Sequence, residues 1–222
     1  MANDCLVTKL KAAVDNDNLK YLDKVVLHLK FGTNYGSEAQ NVASVRDANN
    51  NTISGLSVRT TNTDGATASY TGGYLSIKKG SSDTITIIIS KYPINRLQLL
   101  SQPIIWKTSE ISELYSLKWF IQNANVDIEG STSEILRNLK NLENIQITNS
   151  IESLDISKFS LCPSLKSIIL NYCSGITGDL SAIKDMPNLT TVTLNNTYVT
   201  DNEDSVTYMR NRGITVTYTP YA

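Results

Sequence analysis

The sequence predicts an α/β protein dominated by β-structure, in which a β-rich N-terminal module precedes a short solenoid built on a parallel sheet. Two observations support this prediction. Apolar residues recur about every 24 residues in the second half of the chain, and they alternate with a period of two in the first half. We therefore predict a β-rich module over residues 1–92, as a sandwich or a cap, and a solenoid of about five to six coils over residues 93–222.

The repeat is an apolar pattern whose leading positions are three residues apart and whose last two positions are two residues apart. Its clearest copy is Phe159, Cys162, Leu165, Ile168 and Leu170. The fourth position falls 25, 23, 24 and 24 residues apart in successive copies, at Phe120, Ile145, Ile168, Val192 and Val216. The three-residue spacing suits a helical turn, and the two-residue spacing suits a short strand. Because one such unit cannot close its own core, the units must stack strand beside strand.

Two segments resemble the leucine-rich repeat consensus LxxLxLxxN/C: LKSIILNYC at residues 165–173 and LTTVTLNNT at residues 189–197. FSLCPSLKSI, residues 159–168, is similar to the FxxCxxLxxI form of the bacterial BspA-like subtype. The resemblance covers roughly Ile94 to Tyr218. It implies a leucine-rich-repeat solenoid that binds a partner on its exposed strand face.

The copies depart from this consensus at two places. Gln122 stands where an aliphatic residue is expected, and the ninth position is filled in turn by Asn125, Ser150, Cys173 and Thr197. A small side chain there can turn inward at the strand end and satisfy backbone groups of the adjacent coils. We therefore predict an imperfect solenoid in which Cys173 has a structural role.

The period-two pattern before residue 92 predicts antiparallel β-structure. Lys24–Phe31 alternates apolar and polar residues, and residues 74–90 predict two strands joined around Lys79–Asp83. Cys5–Lys11 and Ser54–Thr60 are weaker strand predictions. Turn-forming residues predict loops at residues 46–55 and 59–73. We expect this module to cover the first coil, because a solenoid end exposes apolar core and an unpaired strand edge.

Cysteine and histidine contents argue against catalysis and metal binding. The three cysteines, Cys5, Cys162 and Cys173, form an odd set with no CxxC spacing. Buried free thiols are the favoured interpretation, and a Cys162–Cys173 disulfide or an intermolecular bond is the alternative. His28 is the only histidine and has no carboxylate or thiol near it in sequence, so no Ser-His-Asp or Cys-His set is indicated. We predict a non-enzymatic protein with no metal or cofactor.

A glycan hydrolase is the competing enzyme class, and it needs two carboxylates on one face. The acidic residues of the central repeats fall instead on or near the predicted connecting arcs, at Asp127, Glu129, Glu134, Glu152 and Asp155.

The exposed strand face is the predicted binding surface. Its residues are Arg96, Gln98, Trp119, Ile121, Asn123, Asn144, Gln146, Ser167, Ile169, Asn171, Thr191, Thr193 and Asn195. Arg96 is the only charged residue among them, so recognition by hydrogen bonds and apolar contact is expected. Trp119, Ile121 and Ile169 are predicted to form an exposed apolar patch. Alternatively, the strands simply favour Thr and Ile, and the N-terminal module covers Trp119.

Charge and hydropathy restrict the class of partner. Charged residues make up 18% of the chain and the net charge is -1, so neither nucleic acid nor an anionic membrane is an expected partner. No run approaches the roughly 20 apolar residues of a membrane helix. The first residues lack the pattern of a signal peptide, so the expected location is a virion or the cytoplasm.

The opening residues, MANDCLVTKLKAAVDNDNL, resemble the starts of small leucine-rich-repeat proteins encoded by phages and prophages of gut bacteria. That resemblance implies a virion component, structural or host-recognising, whose partner is a neighbouring subunit, a host surface protein or a glycan. The alternative is a free bacterial binding module or adhesin-like protein. The last predicted strand is followed by no capping helix, which predicts either assembly through that end or a cap made by Pro220 and the threonine-rich edge.

Overall fold

The computed structural model describes residues 24–90 and 94–221. The strands are β1 Lys24–Phe31, β2 Gln40–Arg46, β3 Val58–Thr60, β4 Thr67–Thr71, β5 Tyr74–Lys78, β6 Thr84–Ser90, β7 Arg96–Leu99, β8 Ile104–Lys107, β9 Trp119–Gln122, β10 Asp127–Glu129, β11 Asn144–Thr148, β12 Leu154–Asp155, β13 Ser167–Asn171, β14 Ile176–Thr177, β15 Thr191–Asn195 and β16 Thr215–Thr219. The helices are α1 Thr108–Ile111, α2 Thr132–Asn138 and α3 Ser205–Asn211, with 3₁₀ helices at Ile156–Leu161 and Leu180–Ala182. This confirms the predicted β-dominated α/β class.

Two large sheets carry most of these strands. The front sheet has the order β16-β15-β13-β11-β9-β7-β2-β5-β4, and the back sheet has the order β10-β8-β1-β6-β3. Side chains of both sheets, including Leu27 of β1 and Leu97 of β7, line one nearly closed apolar cavity of about 10 Å³. The sheets therefore pack face to face around a common core.

Six of the nine strands of the front sheet, β7, β9, β11, β13, β15 and β16, form a parallel ladder with one strand from each sequence repeat. Ile145 of β11 lies opposite Ile168 of β13, which in turn lies opposite Val192 of β15. These three side chains point inward and are almost completely buried. Each repeat therefore covers the apolar side of the next, in the register that the spacing of the repeats predicts.

A left-handed residue ends three successive strands of this ladder. Asn149, Tyr172 and Asn196 have φ angles of 58°, 56° and 53°. Each donates its backbone N–H to a carbonyl of the next strand, at 2.8, 2.8 and 2.7 Å. Asn tolerates this conformation better than other non-glycine residues. The turn therefore redirects the chain and at the same time continues the hydrogen bonding between repeats.

The same geometry corrects the assignment of Asn125 to the ninth repeat position. Asn125 has a φ angle of 61° and so corresponds to the left-handed residues, while the buried Val126 takes the ninth position. The extra residue of the first, 25-residue interval causes this shift. The hydrogen-bonding interpretation of the ninth position holds for Cys173, whose Sγ lies 3.5 Å from the carbonyl oxygen of Ile147 in the preceding repeat.

Two buried polar residues of the ladder differ in whether they have a hydrogen-bond partner. Gln122 is buried, and its Nε2 donates to the carbonyl oxygen of Val126 at 3.2 Å, which explains how an amide replaces the expected aliphatic residue. The buried hydroxyl of Thr197, also at the ninth position, has no hydrogen-bond partner.

A second column of polar residues caps the connecting arcs. Ser131, Asp155 and Asp179 precede α2 and the two 3₁₀ helices, and each accepts a hydrogen bond from the backbone N–H two residues later. These side chains satisfy N–H groups that a helix start leaves free. The arcs are thereby fixed at the same point of three consecutive repeats.

The N-terminal strands were only partly predictable. The structure confirms the strand Lys24–Phe31, the two strands within residues 74–90, and part of Ser54–Thr60 as β3. Cys5–Lys11 lies outside the described residues. β2 was not predicted, and β4 lies inside the predicted loop 59–73, which is therefore wrong at that point.

Both sheets continue across the predicted boundary between residues 92 and 93. In the front sheet β7 pairs with β2, and in the back sheet β8 pairs with β1. The first strand of the ladder thus has an antiparallel partner on its outer edge. At the other end, β16 is the edge strand among the described residues. Its own Val216 and Met209 of α3 are buried within the chain. Assembly through that end stays a prediction.

Asp179→Ala should lower the free energy of unfolding by about 1 kcal/mol near neutral pH, because an N-cap is lost. Asp179 accepts hydrogen bonds from the backbone N–H groups of Asn202 and Ser181 and from the hydroxyl of Thr200, which hold its pKa well below its usual range. A carboxylate with a lowered folded-state pKa stabilises the fold above its unfolded pKa of about 3.9, and this contribution is lost as the pH falls through the folded pKa. Urea unfolding at pH 6 and pH 3 measures both effects.

The difference in free energy of unfolding between wild type and Asp179→Ala should therefore be smaller at pH 3 than at pH 6. Asp127→Ala is the matched control, since its carboxylate is exposed and accepts no hydrogen bond in the described part of the chain. An equal difference at both pH values would show that the charge of Asp179 does not contribute.

Candidate binding face

The outward side chains of the parallel ladder form a partly exposed surface, named the strand face. Along β11, β13 and β15 the burial alternates between inward residues that are buried and outward residues that are half-buried. Twelve of the predicted residues are partly or well exposed at such outward positions: Arg96, Gln98, Trp119, Asn123, Asn144, Gln146, Ser167, Ile169, Asn171, Thr191, Thr193 and Asn195.

Ile121 differs from the prediction of an exposed position. It is only 6% exposed, although it lies in register between Gln98 and Gln146 on the outward side. Two long amide side chains on adjacent strands, about 4.8 Å away on each side, are able to cover an aliphatic group. Trp119 is 37% exposed and Ile169 is half-buried, so the predicted apolar patch is reduced to these two residues.

Carboxamide groups on neighbouring strands bond to one another across the strand face. Gln98 Nε2 donates to Asn123 Oδ1 at 3.3 Å, and Asn195 Nδ2 donates to Asn171 Oδ1 at 2.9 Å. A carboxamide held by its neighbour still has a free donor or acceptor. Apart from Arg96, the face therefore presents oriented polar groups without charge.

A cluster that the sequence did not reveal lies where the ladder meets the N-terminal strands. Arg46 of β2 lies directly opposite Arg96 of β7, and we name these two residues the arginine pair. The guanidinium of Arg96 lies 5.0 Å from the ring centre of Trp119, and that of Arg46 lies 5.5 Å from the ring centre of Tyr74. The pair borders an open depression of about 380 Å³ on the strand face. The turn-forming residues at 46–55 predict a loop at Arg46, because no local pattern indicates the strand with which it pairs.

Three of the five acidic residues of the arcs, Glu134, Glu152 and Asp155, have structural partners, whereas Asp127 and Glu129 are exposed. Glu134 accepts a hydrogen bond from the hydroxyl of Thr108, and Glu152 accepts hydrogen bonds from the hydroxyls of Ser131 and Thr132. Among residues 24–90 and 94–221, no group of three or more His, Cys, Asp or Glu side chains is placed to hold a metal ion. The carboxylates of Glu134 and Glu152 link successive arcs to each other.

His28 has a partner that its sequence neighbourhood does not contain. Its Nδ1 lies 2.8 Å from Glu110 Oε1, and its backbone N–H donates to Glu110 Oε2 at 2.8 Å, across 82 residues. The side chain is exposed on β1 of the back sheet. The pair joins α1 to the back sheet, on the side of the core away from the strand face.

Cys162 and Cys173 are free and buried, so the alternative of a disulfide between them is wrong. Burial raises the pKa of both thiols. Cys162 also points toward the carbonyl oxygens of Leu139 and Leu142, each 3.4 Å from its Sγ. Cys5 lies outside the described residues.

Within the described ranges, no helix has the length and apolar character needed to cross a membrane.

Comparison with protein-family models and with curated proteins gives no relative from which a function can be transferred. No protein-family model matches the sequence, and no curated protein matches it. A functional assignment must therefore come from the arrangement of the chain's own residues.

Proposed function

We propose that the protein is a non-catalytic interaction protein that binds its partner on the strand face of a short leucine-rich-repeat solenoid of the BspA-like type. The repeat spacing in the sequence and the in-register parallel pairing of β7, β9, β11, β13, β15 and β16 support this proposal.

The strand face carries the proposal, because it is a broad and ordered polar surface on which Arg96 is the one charged residue among the twelve named. Its outward residues come from consecutive strands with identical register, so that Asn171 and Asn195 lie side by side, as do Ser167 and Thr191. Interfaces need pre-ordered groups that lose little conformational entropy on binding. Hydrogen-bonded amides and β-branched side chains on a sheet meet that requirement.

A partner recognised by this surface is a protein or a glycan. Neutral amides and hydroxyls bind hydroxyl and peptide groups, and Trp119 with Ile169 adds a small apolar contact. The virion component and the free bacterial module predicted from the sequence would both use this face.

Thr193→Arg should abolish partner binding. Thr193 lies on β15 between Ile169 of β13 and Thr217 of β16, so a long charged side chain there would obstruct the face across its last three strands. Labelled protein applied to arrays of bacterial surface glycans and proteins would measure the effect. We expect a loss of signal of about tenfold, because the added side chain would keep the partner from contacting these strands. Thr207→Arg is the matched control, because Thr207 is an exposed residue of α3. Equal loss in both variants, or none in Thr193→Arg, would contradict the proposed face.

The virion role predicts an assembly larger than one chain. Size-exclusion chromatography with light scattering measures the mass directly, and the single-chain mass is 24.5 kDa. Multiples of that mass at micromolar concentration support the virion role, whereas a monomer under all conditions favours the free module.

A further inference from the structure

We propose that the arginine pair, Arg46 and Arg96, is a binding subsite for the carboxylate of an acidic saccharide such as a uronic acid. This inference rests on the proposed function, since it names the ligand chemistry of one end of the strand face. It depends on the charge of the pair, the way each guanidinium is held, and the groups around it.

The pair has an uncompensated positive charge. Arg46 and Arg96 lie directly opposite each other on neighbouring strands, and both line the same depression. Within the described ranges, neither guanidinium has a carboxylate within ion-pair distance. The nearest acidic residue in sequence, Asp47, accepts hydrogen bonds from the backbone N–H groups of Asn49 and Asn51. An anion bound in this depression would compensate the positive charge.

Arg46 is fixed in place by its neighbours. Its Nε donates to the hydroxyl of Ser44 at 3.2 Å, and its terminal nitrogens donate to the carbonyl oxygens of Asn50 at 3.4 Å and Gly72 at 3.3 Å. Gly73 has a φ angle of +89°, and a Cβ at that position would lie 2.6 Å from the Arg46 Cζ. The guanidinium therefore occupies space that only glycine leaves open, and it is ordered before any ligand binds.

Arg96 is held differently, and its donors stay available. Its guanidinium lies 5.0 Å from the ring centre of Trp119, and no described protein group accepts a hydrogen bond from it. Stacking on an aromatic ring orients a guanidinium without using its N–H groups. The planar fork of N–H donors matches the two oxygens of a carboxylate.

The groups around the pair favour a saccharide over another carboxylate. The depression of about 380 Å³ is also lined by Asn50, Gln98, Ser44 and Tyr74. That volume lies in the range of small-molecule sites. Amides and hydroxyls beside the guanidiniums suit the hydroxyls of a sugar ring, and the partly exposed rings of Tyr74 and Trp119 offer flat apolar surfaces to its C–H groups. A glutamate side chain would engage the guanidiniums alone.

Isothermal titration calorimetry of the full chain with digalacturonic acid tests the subsite, with the neutral galactose disaccharide as the paired ligand. We expect the acidic disaccharide to bind at least about tenfold more tightly than the neutral one, and Arg96→Gln and Arg46→Gln each to weaken its binding by about tenfold or more. Arg59→Gln, an exposed residue of β3 in the back sheet, is the matched control and should bind as wild type does. Raising the salt concentration should weaken binding.

Tryptophan fluorescence locates the ligand. Trp106 is buried and Trp119 is not, so a change on adding digalacturonic acid reports on Trp119, next to Arg96. If Arg46→Gln fails to fold because Gly73 loses its packing partner, Arg96→Gln alone decides, since its guanidinium contacts only an exposed ring. Equal affinity for the neutral disaccharide, or unchanged binding by Arg96→Gln, would overturn the proposal. A hexaglutamate peptide that binds as tightly as the uronate would overturn the saccharide assignment.

The two proposals fail separately. Thr193 lies four strands from Arg96 in the front sheet, about 19 Å away, so Thr193→Arg should leave binding of a disaccharide at the pair unchanged. If Thr193→Arg loses array binding but the wild-type protein does not bind digalacturonic acid, the subsite proposal is wrong and the strand-face proposal stands. If the protein binds digalacturonic acid but Thr193→Arg leaves array binding unchanged, the strand-face proposal is wrong and the subsite proposal stands.

Discussion

The rest of the structure depends on hydrogen bonding between successive repeats in a fixed register. Each parallel strand of the ladder pairs with the equivalent residues of the next, and the backbone N–H of a left-handed residue adds one more bond at the end of three strands. A one-residue slip would turn every inward side chain outward, so burial of Ile145, Ile168 and Val192 fixes the register as firmly as the hydrogen bonds do. The arcs, their caps and the outward rows of side chains all take their positions from this pairing.

This constraint also explains where polar groups are tolerated inside the chain. The thiols of Cys162 and Cys173 point to carbonyl oxygens of the preceding repeat, and Gln122 donates to the backbone of its own turn. A buried polar atom costs little when it finds such a partner. The hydroxyls of Ser112, Thr197 and Ser205 are exceptions, since each is buried and has no hydrogen-bond partner among the described residues.

Much of the ladder could be predicted from the sequence, because its pattern is local and repeated. The apolar spacing placed the strands β11, β13 and β15, and strict alternation placed β1. Features that depend on distant partners were not predictable. β2 has weak alternation and becomes a strand by pairing with β5 and β7, and the burial of Ile121 depends on glutamines from two other strands. The position of Asn125 was not predictable, because an interval of 25 residues does not show where in the repeat the extra residue lies.

The same distinction applies to the candidate site. The outward rows follow from the repeat itself, so the sequence was enough to name their residues. The arginine pair exists only where two unlike halves of the chain share one sheet, since Arg46 comes from an antiparallel strand and Arg96 from the first strand of the ladder. A continuous sheet thus gives the face two chemical characters. It is neutral and amide-rich along the repeats, and positively charged where the N-terminal strands join them.

Methyl–methyl nuclear Overhauser measurements on Ile145, Ile168 and Val192 test the central claim of an in-register ladder most directly. These side chains lie on adjacent parallel strands about 4.8 Å apart, so Ile168 should give strong signals to both Ile145 and Val192, and the Ile145–Val192 signal should be much weaker. Absence of the Ile168 signal to either neighbour would contradict the account.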